Sequence, residues 1–203
     1  IVSGPISRET VHFEAPVAAR VGQEMTRFLA WFDGAQAIDP ILKAGLAHLW
    51  FVTIHPFEDG NGRIARAIAD IALARADNLS ERFYSMSAQI ELERKEYYTQ
   101  LERQQRSTVD VTPWLDWFLD CLGHALANAN EVLATVLYKA QLWDYVNQQP
   151  VNERQRRILN RMLDNFKGYM TTSKYAKLAK CSTDTALRDI QDFVLRGIFV
   201  QNP

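Results

Sequence analysis

His55-Pro56-Phe57-Glu58-Asp59-Gly60-Asn61-Gly62-Arg63-Ile64-Ala65-Arg66 joins two stretches of strongly helical pattern and fixes how they must meet. Before it run Asp39-Pro40-Ile41-Leu42 and the residues up to Ile54. Asp39 is a good N-cap, and Pro40 suits the first helical position, where no amide hydrogen is needed. Apolar residues at 41, 42, 46, 49, 50, 52 and 54 cover most of the surface, which predicts a central, buried helix. Pro56 disfavours helical geometry at His55, so the helix is expected to stop there and carry His55 at its C-terminal end. A second helix is expected to begin near Asn61 or Arg63 and run through Arg75 on alanines and leucines, which are strong helix formers.

The loop between them delivers Gly60-Asn61-Gly62 to a helix N-terminus, where free amides and the positive end of the dipole favour an anion. Glycines permit positive φ and close approach of an oxygen-rich ligand to the backbone. Arg63 and Arg66 share one face of the first turns. Cations gain nothing from the dipole at that end, so an anion is expected to neutralise them, and phosphate suits two guanidinium groups. Asp59 is a lone hard carboxylate beside this nest, and magnesium commonly takes one or two carboxylates and completes its shell with water and phosphate oxygens. Singly, a glycine turn or a histidine before proline is only punctuation. At this spacing the set points to a base beside a magnesium–nucleotide site.

The string resembles the signature of the Fic family, His-Pro-Phe-x-(Asp/Glu)-Gly-Asn-Gly-Arg-x-x-Arg, and fills every fixed position of it. The similarity takes in Thr10-Val11-His12-Phe13-Glu14-Ala15-Pro16, a helix over about 17–32 and the pair Tyr97-Tyr98, so it covers roughly residues 1–140. It implies a mainly α-helical core with a β-hairpin flap that transfers AMP from ATP to a Ser, Thr or Tyr hydroxyl of a target protein, releasing pyrophosphate. By the same resemblance His55 is the general base and Asp59 holds Mg²⁺ across the α- and β-phosphates. Gly60, Asn61 and Gly62 bind those phosphates, Arg63 the β-phosphate region, and Arg66 the γ-phosphate or an inhibitory glutamate. Phe57 and Glu58 belong to the same ATP-binding loop, Phe57 as its buried anchor. Tyr97 and Tyr98, with Gln105 one turn further on, form the adenine pocket. The regulatory (Ser/Thr)-x-x-x-Glu-(Gly/Asn) motif of relatives does not occur in residues 1–203, so by the resemblance either this chain is unrestrained or the inhibitory glutamate is expected on a missing N-terminal segment. Removal of AMP, or transfer of another phosphate-linked group, is the alternative chemistry on the same site.

Two β-compatible runs, residues 2–6 and 9–13, read as a hairpin whatever the family. Beside a nucleotide it could pair with an extended target segment by strand addition, through Thr10, Val11 and His12.

At 203 residues with 47% hydrophobic and 23% charged content, the chain reads as ordinary globular material of one or two domains. No uncharged apolar run of about 18 residues is present, so no membrane span is expected. Cys121 and Cys181 read as free thiols of a reducing compartment, which places the chain in the cytoplasm. His12, His48 and His124 have no metal-ligand spacing to them and read as structural, His12 being the partial exception on the flap.

The expected domains are 1–146, of Fic type, and 151–203. After a helix capped by Thr112 and running to about 145, the segment 147–150 reads as a linker. Helices over 153–164, 173–180 and 184–196 and a Gly197-Ile198-Phe199-Val200 strand then resemble a small winged-helix domain, with an apolar seam of Leu178, Ala179, Leu187, Ile190, Phe193 and Val194. Residues 151–203 hold ten Lys or Arg against five Asp or Glu, a net of +5. That charge suits DNA, whereas Asp184, Asp189 and Asp192 on the would-be recognition helix repel phosphate. Docking of a protein partner or formation of a homodimer is therefore weighed above DNA, and a DNA-binding regulator with a nucleotide-sensing half is the alternative to an enzyme.

Overall fold

The computed structural model describes residues 2–3, 10–11 and 13–201 apart from 36, 78–81, 107–108, 149 and 165, and only the backbone of residues 2–3 and 10–11. It is mainly helical. β1 (Val2–Ser3) and β2 (Thr10–Val11) pair antiparallel, Val2 opposite Val11 and Ser3 opposite Thr10. The turn of the expected flap and His12 lie outside the described residues, as do the side chains of Thr10 and Val11. Chain contacts divide the protein into Ile1–Glu131 and Val132–Pro203.

The first unit is built on α2 (Pro40–Ile54). The Asp39 carboxylate accepts from the amides of Ile41 and Leu42 at 2.8 and 3.2 Å, with Pro40 at the first helical position. Ala44, Ala47, Leu49, Phe51, Val52 and Ile54 are all buried, as expected of a helix that is apolar nearly all round. α1 (Ala18–Asp33) and α3 (Asn61–Asp77) pack against it. Phe28 of α1 meets Trp50 edge-on, with ring centroids 5.6 Å apart. α4 (Met86–Leu92) and α5 (Arg94–Gln105) follow, separated at Glu93, and bury Ile90, Tyr97 and Leu101.

α6 (Thr112–Asn147) starts one residue earlier than the sequence predicts. Thr112 is already helical, and just before the helix the Asp110 carboxylate accepts from the Thr112 amide at 2.9 Å. α6 approaches α2 closely at Gly45, where an added Cβ would meet Leu115 and Phe118 at 3.0 Å. Trp114 Nε1 donates to the Gly45 carbonyl there at 2.8 Å. Cys121 is buried in this core, and burial pushes its thiol up to about 12.

The second unit holds the end of α6, then α7 (Glu153–Leu163), α8 (Thr172–Ala179) and α9 (Thr183–Leu195). Asn152 and Gln155 form a capping box on α7. Ser182 caps α9, after Lys180 in the left-handed region (φ 53°) has ended α8. The core is Val146, Ile158, Leu159, Tyr175, Ala179, Ala186 and Phe193.

Two expectations are corrected in this unit. Leu178 and Leu187 are exposed rather than part of the seam, and Tyr175 and Ala186 fill their place. Gly197–Val200 is a turn and bend, not a strand. The amides of Ile198 and Phe199 both donate to the Phe193 carbonyl, at 2.8 and 3.1 Å, with Gly197 at φ 69°. Those donors close the end of α9 and are no longer offered to a neighbouring strand.

Candidate active site

Pro56 sets the site in motion. In an unbroken helix the Val52 carbonyl accepts from the amide of residue 56, and proline has none. α2 therefore ends, and His55 takes the C-cap position in the left-handed region (φ 51°, ψ 56°), an unfavourable conformation for a non-glycine residue. The freed Val52 carbonyl is met by His55 Nδ1 at 3.3 Å. A carbonyl can only accept, so this contact puts a proton on Nδ1, and in the neutral ring the lone pair is then on Nε2.

The loop that follows is closed by Asn61. Its side-chain oxygen accepts from the Phe57 amide at 3.0 Å, and its nitrogen donates to the Phe57 carbonyl. Asn61 is buried, whereas Phe57 is 51% exposed. The buried anchor expected at Phe57 is therefore corrected: the polar side chain of Asn61 locks the loop, and the Phe57 ring keeps only an outlying contact with Phe51, at 6.4 Å between centroids.

Gly60 lies at φ 86° and its carbonyl accepts from Ile64 at 3.0 Å, opening α3. The amides of Asn61, Gly62 and Arg63 consequently have no acceptor within the helix. A Cβ at Gly62 would meet nothing within 4 Å, so the ground beside this helix end is open. Arg63 pairs with the exposed carboxylate of Asp59 at 3.1 Å. Arg66 is half-buried and forms no salt bridge among the described residues.

These groups line a cavity of about 870 Å³ in the first unit, with Val52, His55, Glu58, Asp59, Gly60, Asn61, Gly62, Arg63 and Arg66 on one side. Arg94, Tyr97, Tyr98, Leu101, Glu102 and Gln105 of α5 form the other. All the site residues expected between 55 and 105 meet there except Phe57. Tyr97 is 2% exposed and Tyr98 54%, their rings 5.2 Å apart. Gln105 Nε2 is buried without a hydrogen-bond partner among the described residues.

Arg94 and Glu102 were not singled out from the sequence. Their signal is helical spacing, since 94, 98, 102 and 105 recur on one face of α5. The Arg94 guanidinium lies 5.8 Å from the Tyr98 ring centre, and Glu102 pairs with Arg106 at 2.7 Å. His48, read as structural, hydrogen-bonds the cavity residue Tyr97 through Nε2 at 3.0 Å. Burial, reinforced by the charge of Arg66, lowers its pKa to about 3, so it is neutral. His124 is a surface partner of Glu93, at 2.8 Å.

The cleft thus brings a helix N-terminus, arginines and an imidazole together at its edge, groups that can hold an anion. Residues 3–73 match the Fic/DOC family, and the motif residues 55–66 fall inside that segment. The protein adenylyltransferase Fic of Culex quinquefasciatus is 33% identical over 104 residues, covering 50% of this chain and 19% of that protein. The protein adenylyltransferase fic-1 of Caenorhabditis briggsae is 38% identical over 64 residues, 30% of this chain and 13% of its own. This chain therefore spans about a fifth of the length of the curated relatives it matches, or less. Among solved structures, a Fic family protein from Desulfovibrio desulfuricans G20 shares the fold with a TM-score of 0.51 at 22% identity, over 87% of this chain and 48% of that one.

Proposed function

We propose that this chain transfers AMP from ATP to a Ser, Thr or Tyr hydroxyl of a target protein, with release of pyrophosphate. The observation that supports this best is the pairing of His55 Nδ1 with Val52, which leaves Nε2 as a proton acceptor at the edge of the phosphate-binding cavity. The target oxygen forms a bond to the α-phosphorus, its proton passes to His55 Nε2, and the α–β bridging bond breaks. Free amides of Asn61, Gly62 and Arg63 meet the charge that develops on the α- and β-phosphates, and Arg66 meets the γ-phosphate. Gln105 offers the adenine an unpaired donor, and Tyr97 and Tyr98 a wall.

Asp59 is an exposed carboxylate on the cavity loop, so a phosphate-borne magnesium fits it without further protein ligands. When bound, that ion screens the triphosphate. Target docking by strand addition belongs to the region of β1 and β2.

The test is incubation with labelled ATP and magnesium, followed by mass spectrometry for an added AMP on this chain or on a lysate protein, wild type against His55→Ala. Failure of the wild type to label any protein while it binds ATP would remove the transferase reading.

A second reading concerns the second unit. Asp189 is buried, bound by Arg154 at 2.7 and 3.0 Å and by the Tyr175 hydroxyl at 2.9 Å. Asp192 is taken by Arg196 and Gln155. Two of the three acids expected to repel phosphate are thus neutralised internally, while Lys174, Lys177, Lys180 and Arg188 are exposed. That favours duplex DNA as a partner of a helix–turn–helix formed by α8 and α9. Salt-sensitive, sequence-selective retardation of duplex DNA with no AMP transfer would replace the enzyme by a regulator.

A further inference from the structure

We propose that His48 is a positioning residue for the nucleotide: it holds the Tyr97 hydroxyl inside the core and so keeps the Tyr97 ring out of the base site. The inference rests on the nucleotide reading of the cavity given above. His48 lies seven residues before His55 on α2 and is fully buried. It is boxed by rings, with Tyr97 edge-on at 5.6 Å and 77°, Trp114 at 5.4 Å and Phe118 at 6.5 Å between centroids. A leucine would fill that box with no polar atom of its own, whereas His48 Nδ1 has no partner among the described residues. The gain that offsets this penalty is the one contact that His48 makes through Nε2, to Tyr97 Oη at 3.0 Å. Either tautomer makes this bond, with Nε2–H donating to the tyrosine oxygen or the tyrosine O–H donating to Nε2. Burial keeps the ring uncharged, so this is a plain neutral hydrogen bond.

Tyr97 stands between two environments. Its hydroxyl is held in the core by His48, and its side chain also borders the cavity beside Tyr98. If the imidazole is removed, the hydroxyl is left buried and unpaired, and the cavity that Tyr97 lines is open to it. The ring then turns toward that space and competes with the base. The role is therefore held through Tyr97 and not by contact between His48 and the ligand.

The experiment is a set of ATP dissociation constants, measured by calorimetry with magnesium well below each variant's melting temperature. His48→Leu is expected to weaken ATP about tenfold, the weight of one net hydrogen bond. His48→Asn is too short to reach Tyr97 and should lose the same. His48→Gln keeps a donor in reach and should stay within about threefold of wild type. The distinguishing variant is His48→Leu with Tyr97→Phe, set beside Tyr97→Phe alone: without a hydroxyl to satisfy, the ring has no reason to leave the core, and these two should bind ATP within about threefold of each other. A role in stability alone would lower melting temperatures and leave the dissociation constants alone. ATP bound as tightly by His48→Leu or His48→Asn as by wild type overturns the proposal, and so does a loss from His48→Leu that is as large in the Tyr97→Phe background as in wild type. A wild type that binds no ATP defeats the nucleotide reading itself, a separate outcome from either of these.

Discussion

Acid should destabilise the first unit through His48 in a way that one substitution removes. An unfolded histidine titrates near pH ~6.5, while burial and Arg66 hold folded His48 at about 3. The folded pKa is the lower one, so below ~6.5 the unfolded chain takes up a proton that the folded chain refuses. Stability is fully present above pH ~6.5 and drains as pH falls toward about 3, at roughly 1.4 kcal/mol per pH unit. At pH 5.0 the loss is ~2 kcal/mol, a large part of the ~5–15 kcal/mol that holds a domain. Carboxylates also change over this range, so the quantity to measure is the difference in unfolding free energy between wild type and His48→Leu. Urea titrations from pH 7.5 to 5.0 followed by tryptophan fluorescence suit it. Trp31, Trp50, Trp114 and Trp117 report the first unit, and Trp143 alone the second. The wild-type advantage should shrink by ~2 kcal/mol on acidification. A difference that stays flat over that interval would mean that His48 exchanges protons freely, and the enclosed neutral imidazole would be wrong.

The remaining expectations concern the cavity. His55→Ala should abolish AMP transfer while ATP affinity, measured directly, stays nearly unchanged; retention of more than a tenth of the rate removes His55 from the base role. Arg66→Ala should weaken ATP more than ADP, and equal losses for the two nucleotides would refute its assignment to the γ-phosphate. Asn61→Ala removes both bonds to the Phe57 backbone and should cost ~1–3 kcal/mol in denaturant titration. An unchanged midpoint would show that another contact closes the loop.

The parts legible in the sequence are those whose causes are local. Asp39-Pro40 starts α2 and Pro56 ends it, and glycines open α3, because caps and proline act within four residues of themselves. The buried anchor that the resemblance implied at Phe57 fails because the loop is held by an amide whose bonding geometry no residue type announces. The strand at 197–200 was misread because a strand needs a partner elsewhere in the chain, and here Phe193 had already taken two of its amides. The inward turn of Asp189 depends on Arg154, 35 residues away, and no spacing rule predicts it.

His48 and His55 show what separates two identical side chains on one helix. Seven residues apart, they share a face of α2 at about 10 Å along its axis. His48 is enclosed by aromatic rings and has one nitrogen on Tyr97. His55, one residue past the helix, has one nitrogen on a carbonyl that Pro56 left free and sits at the cavity edge. The first arrangement can affect a ligand only by fixing a wall of its site, and the second can accept a proton from a group outside. Changes at 48 should therefore be read in the dissociation constant at unchanged saturated rate, and changes at 55 in the rate at unchanged dissociation constant. A variant at 48 that slowed the saturated reaction as much as one at 55 would show that the two positions are coupled through α2 itself, and roles assigned from their separate surroundings would have to be given up.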